Sequence, residues 1–181
     1  MWGARLAQSP DGPALEPFDP NERGAWRWVQ PRRARRHWRL VAGGRTVATL
    51  DRRSLFGFSA IARFRDATWV FRRQMPFDLM ILPAEDAAAV ARWRFGWLGG
   101  GRMLDGADAG LRLKPQNFWC TRWALLTPEL LPLVRFQEHF GFLSFESTVS
   151  LEDAARRSPT LSLWVALGWY LIVRHQRRHG D

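Results

Sequence analysis

Arg32-Arg33-Ala34-Arg35-Arg36 places four guanidinium groups within five residues. A guanidinium fork grips phosphate or carboxylate oxygens in pairs, so Arg32, Arg33, Arg35 and Arg36 read as an anion-binding contact, with a solvated charged edge as the plain alternative. His175 and His179 stand four apart, which on a helix puts both imidazoles on one face. A metal site would need a third ligand, and the surrounding arginines fit a solvated turn better, so no metal or cofactor is assigned. Cys120 is the single cysteine, which excludes an internal disulfide and a cysteine-rich zinc site. It reads as a small mid-strand hydrophobe beside Trp119, without the signature of a nucleophile. Gly96-x-x-Gly99-Gly100-Gly101 lacks the Gly-Lys-Ser/Thr ending of a phosphate loop, and Asp105 and Asp108 flank Gly106 as ordinary turn residues. No paired carboxylates and no triad stand out, so the expected protein is not an enzyme, and no small-molecule substrate is identified.

The chain carries a net charge of +10, which attracts polyanions: anionic lipid, an acidic protein or nucleic acid. Charge alone does not choose among them. Lys114 is the only lysine, an arginine bias that a GC-rich bacterial coding sequence would also produce. Single-stranded nucleic acid would need exposed aromatics interleaved with arginines, and Trp26-Arg27-Trp28 and Trp93-Arg94 are the only candidates. Their alternation reads more simply as strand faces, one in and one out. Nucleic acid therefore ranks behind anionic lipid or an acidic protein as partner.

These residues need elements to hold them. At 181 residues and 46% hydrophobic the chain has the length of one domain and can bury a sizeable core. Residues 1–25, rich in proline, read as a flexible N-terminal tail, and residues 26–181 as a single domain. Its texture from His37 onward is short alternating runs between turns: Trp38 and Leu40 before Gly43-Gly44, Phe56 to Phe64, Trp93 to Trp97, Trp119 to Leu126, Phe140 to Leu151. Nine to twelve such strands argue for a sandwich or a barrel, and closing a barrel removes the exposed edges.

The last segment is different. Ser158 reads as an N-cap and Pro159 as the first helical residue of a helix over about 159–179, ended by a basic turn and Gly180. Its large apolar residues, among them Leu163, Trp164, Leu167, Trp169 and Leu171, point in every direction around the axis, so something must wrap it. The uncharged run from Pro159 to Val173 spans ~22 Å against the ~30 Å of hydrocarbon a membrane helix must cross. The expectation is a core helix wrapped by the strands, with a tail anchor as the alternative. A barrel of about a dozen strands is too wide for its own side chains to fill, and a central helix fills it. Met1-Trp2-Gly3-Ala4-Arg5-Leu6-Ala7 lacks the apolar core of a secretory signal, so the expected location is the cytoplasm, with a peripheral position at the membrane compatible.

Trp38-x-Leu40, Thr68-Trp69-x-Phe71, Lys114-Pro115-x-Asn117-Phe118-Trp119 and Leu163-x-x-Ala166-Leu167-Gly168-Trp169-Tyr170-Leu171 together resemble the tubby C-terminal-like superfamily, over about residues 36–175. That group joins tubby, the phospholipid scramblases and the LURP-one-related proteins with bacterial members. The resemblance implies a mostly β fold, a closed antiparallel barrel of twelve strands around a hydrophobic C-terminal helix. Tubby's phosphoinositide contacts find no residue-by-residue match here, and the scramblase-like acidic calcium motif and cysteine cluster are absent. The resemblance thus implies a fold and not an activity. The functional expectation is a non-enzymatic binding module that docks a basic surface on anionic lipid or an acidic partner.

Overall fold

Twelve strands close into one antiparallel barrel, each paired with its neighbours in sequence and the first paired with the last. The computed structural model describes residues 14–22, 24–31, 36–52, 59–74, 77–84, 87–96, 100–140 and 145–179. In chain order the strands are β1 Trp26–Val29, β2 His37–Ala42, β3 Arg45–Arg52, β4 Ala60–Phe64, β5 Thr68–Gln74, β6 Asp78–Leu82, β7 Ala91–Phe95, β8 Gly101–Met103, β9 Arg112–Pro115, β10 Arg122–Leu126, β11 Pro132–Phe140 and β12 Phe145–Leu151. A short helix, α1 Asp153–Arg156, turns the chain into α2 Leu161–His179. Closure depends on β1, where Trp26 stands opposite Val149 of β12 and Trp28 opposite Leu40 of β2.

Alternation along the strands sorts the side chains. Trp28, Trp38, Leu40, Phe71, Leu79, Trp93, Trp123 and Phe136 are buried in the interior, while intervening residues such as Arg27, Arg72, Arg92 and Arg135 are exposed on the outer wall. Trp26 and Trp28, and likewise Trp93, are buried, so these indoles offer no face to a nucleic-acid base.

α2 fills the barrel. From Leu161 to Val173 its side chains are buried, Ser162 alone being partly open, and Leu163, Trp164, Leu167, Trp169 and Leu171 all belong to the one large core cluster. Contacts come from strands around the wall: Trp169 stacks on Trp28 of β1 at 6.2 Å between centroids, Tyr170 on Phe71 of β5 at 5.1 Å, and His175 meets Trp123 of β10 edge-on at 5.1 Å. Two polar ties fix its depth at the entry end. Trp69 Nε1 donates to Ser162 Oγ at 3.1 Å, and Trp164 Nε1 donates to Asp108 Oδ2 at 2.9 Å. Among the described residues no helix is long and apolar enough to cross a membrane.

Three local expectations change. The helix begins at Leu161, because Ser158 Oγ accepts from Thr160 N at 3.2 Å in a preceding turn and the Thr160 carbonyl accepts the first helical bond, from Trp164 N. Thr160, not Ser158, holds the cap position. Cys120 is not mid-strand: β10 starts at Arg122, and Cys120 lies in the turn before it with φ of 52°. Residues 14–22, expected as part of a free tail, lie along the wall. There Glu16 N donates to the Thr46 carbonyl, Phe18 packs edge-on against Trp26 and Phe64, Glu22 pairs with Arg45 at 2.8 Å, and Pro20 accepts from Arg156. Residues 1–13 lie outside the described residues.

Candidate docking rim

In a closed barrel whose neighbours are all antiparallel, every odd-numbered strand ends at the same rim. α2 follows β12, enters from the opposite end and brings its C-terminal turns out toward that rim. The intervals joining an odd strand to the next even strand are 30–36, 53–59, 75–77, 96–100, 116–121 and 141–144, and their sequence contains no Asp or Glu. The intervals joining an even strand to the next odd strand contain Asp66, Glu85, Asp86, Asp105, Asp108 and Glu129, against Arg65 as their only basic residue. A coding bias toward arginine would account for the number of arginines. It does not explain why the acids fall in one set of connections.

Of the residues named from sequence as anion contacts, Arg36 is half-buried at the start of β2, where its carbonyl accepts from Arg52 N at 3.0 Å. Arg32, Arg33 and Arg35 lie outside the described residues. His175 is packed on Trp123 in the barrel.

The β9–β10 connection was not legible as a site. Asn117 organises it: Oδ1 accepts from Thr121 N at 3.0 Å and Arg122 N at 3.1 Å, Nδ2 donates to Thr121 Oγ1 at 2.7 Å, and the Asn117 carbonyl accepts from Cys120 N at 3.2 Å. This side-chain capture of following amides makes a rigid turn. Phe118 and Trp119 project from it, 89% and 78% exposed, edge to face at 5.3 Å. Phe77, 63% exposed, stands at the start of β6 toward the same rim, its carbonyl held by Phe95 N at 2.8 Å.

On the outer wall of the strands leading to this turn, Arg94 of β7, Arg102 of β8 and Arg112 at the start of β9 stand directly opposite one another, with Lys114 two residues nearer the turn along β9. Arg94 pairs with Asp78 at 2.9 Å, which holds that carboxyl below its ordinary value. Among the described residues no carboxylate pairs with Arg102, Arg112 or Lys114.

Behind the turn lies one buried carboxyl. Glu138 of β11 receives Trp123 Nε1 at 3.1 Å on Oε1 and the Gln176 amide on Oε2, and burial pushes it up to about 7 in spite of both bonds. Burial first, and then the Glu138 charge, push the Cys120 thiol upward. The upward shift of the thiol opposes thiolate chemistry, which needs a thiol pKa lowered toward neutrality.

No protein family, curated protein or solved structure significantly matches this chain.

Proposed function

We propose that this protein is a non-enzymatic docking module of the tubby C-terminal-like kind, which sets one basic rim of its barrel against an anionic partner. Arg32, Arg33, Arg35 and Arg36 are the leading contact. The observation that carries this reading is the partition of charge between the two sets of connections, acid-free on one side and acidic on the other. Such a dipolar distribution orients a protein toward an anionic surface as well as attracting it. The twelve-stranded barrel around a central helix supports the fold assignment.

The alternatives are supported less. A tail anchor would need α2 to leave the barrel that already covers it. Base stacking on Trp26, Trp28 or Trp93 is barred by their burial. For catalysis, Glu138 has both oxygens engaged and the neighbouring thiol is shifted away from reactivity.

The test is co-sedimentation with phosphatidylserine-containing and pure phosphatidylcholine vesicles, alongside single-stranded RNA, for wild type and for the protein with Arg32, Arg33, Arg35 and Arg36 all changed to Ala. Salt-sensitive binding that weakens in the variant is the expected outcome. If wild type binds neither polyanion near physiological salt, the proposal fails.

A further inference from the structure

A turn that points two aromatic rings at water works against its own stability unless the rings are used, because exposed apolar patches on soluble proteins mark contact surfaces. The β9–β10 turn is built to do this. Its polar residues Asn117 and Thr121 bond to each other and to the backbone, so the rings of Phe118 and Trp119 are the part left facing out. Arg102 and Arg112 add a second unfavourable feature, since like charges directly opposite across a strand pair repel. Both features sit on the same side of the barrel. Lys114 precedes Phe118 by four residues, at most ~13 Å of extended chain.

We infer that the Phe118–Trp119 knuckle is a membrane-interface contact, its rings entering the headgroup boundary of an anionic bilayer while Arg102, Arg112 and Lys114 meet the lipid phosphates. The inference rests on the docking reading for the sign of the partner's charge, and on different residues for the contact. A lipid surface is favoured over other anions by layout. Phe77 adds a third exposed ring at the same rim, three strand spacings from β6 to β9, or ~14 Å along the wall. Separate apolar points around one rim suit an extended interface such as a bilayer surface. Tryptophan settles at the headgroup level, and interfacial insertion reaches ~5–10 Å, which leaves cations a short way down the wall beside the phosphates. Charge also assigns the orientation. Leu130, Leu131 and Val90 are exposed as well, but they lie in the opposite set of connections, Leu130 and Leu131 in the interval with Glu129 and Val90 in the interval with Glu85 and Asp86, whose charge an anionic surface repels.

The experiment uses the full chain with vesicles of phosphatidylcholine alone or mixed with phosphatidylserine. Three variants are compared with wild type: Phe118→Ala with Trp119→Ala, Arg102→Ala with Lys114→Ala, and the four-arginine variant of residues 32–36. The first two alter exposed side chains, so thermal unfolding should stay close to wild type. The aromatic variant is expected to lose at least ten-fold in partition to the anionic vesicles, and the Arg102/Lys114 variant roughly five-fold for each cation removed, with a shallower salt dependence. An environment-sensitive dye on Cys120, the only thiol, should shift to the blue with anionic vesicles. The same dye on Glu129→Cys in a Cys120→Ser background should not. Unchanged partition of the aromatic variant overturns the inference. If the four-arginine variant then loses binding, docking survives and the contact belongs to the β1–β2 interval. Wild type that binds RNA but not the anionic vesicles also overturns the lipid assignment alone, whereas binding to neither overturns the docking reading itself.

Discussion

The Phe136 ring occupies the space that a side chain on Gly168 would need: a Cβ at that glycine would stand 2.4 Å from Phe136 Cζ and 2.5 Å from Cε2. Glycine in mid-helix costs about 1 kcal/mol relative to alanine, so its use in α2 calls for a packing reason, and this close approach supplies one. Both residues lie in the core, with no solvent side toward which the ring can swing.

Gly168→Ala should therefore destabilise the protein by about 1–3 kcal/mol, the overpacking cost outweighing the gain in helix propensity. Phe136→Leu in the same chain should return part of that loss, since the smaller side chain vacates the contested space. Urea unfolding of the two single variants and the double variant gives the coupling directly. Strict additivity of the two changes would show that the residues do not meet.

Trp164 and Asp108 make a second test of helix depth. Asp108→Ala leaves the buried indole N–H without its acceptor and should cost about 1–3 kcal/mol, whereas Asp108→Asn keeps an acceptor and should cost less. Equal unfolding midpoints for both variants and wild type would mean that this bond contributes nothing.

Asp108 also shows where sequence reading stops. As a neighbour of Gly106 it is a turn residue by its local pattern, and its bond to a tryptophan 56 positions away has no local signature. The strand alternation at Trp38 and Leu40 and the all-round apolarity of residues 161–173 were legible because each is a local consequence of burial. The β9–β10 turn was not. Phe118, Trp119 and Cys120 continue the apolar texture of a strand, and only the capture of two backbone amides by Asn117 delays β10 until Arg122. The helix start shifted for the same kind of reason, a hydroxyl choosing the turn amide of Thr160. The proposed docking rim needed both sources, since the acid-free intervals are plain in the sequence but form one set only once the barrel's antiparallel closure is known.

Glu138 predicts a pH dependence of definite sign. Its carboxyl lies at about 7 in the folded chain against an ordinary value of 4.5. Below about 4.5 both states are protonated and the full stability is present. Between the two values the folded state retains a proton the unfolded state has lost, so stability falls as pH rises, by up to ~3 kcal/mol once pH passes the folded value. Glu138→Gln should abolish this contribution, making the difference in stability between about pH 4 and about pH 8 smaller by that amount. Parallel pH profiles for variant and wild type, measured by urea unfolding, would remove Glu138 as the cause.

The largest single dependence is on α2 itself. Ten large apolar side chains between Leu161 and Val173 are buried, each contributing ~1.5–3 kcal/mol on full burial, and together they exceed the ~5–15 kcal/mol net stability of a typical domain. Removing them would leave the inward faces of β1, β5, β10 and β11 lining an empty space, with Trp28, Phe71, Trp123 and Phe136 without the partners they now touch. A chain ended after Arg157 is therefore expected to be insoluble or unfolded, with no cooperative transition in heat or urea. Adding residues 158–181 as a separate peptide during refolding should recover soluble barrel, because the strands and the Asp108 turn carry the partners the helix touches. A truncated chain that stays soluble and unfolds cooperatively would show that the barrel closes without its helix. One that stays folded yet loses vesicle binding would move the lipid contact from the β9–β10 turn to the C-terminal segment.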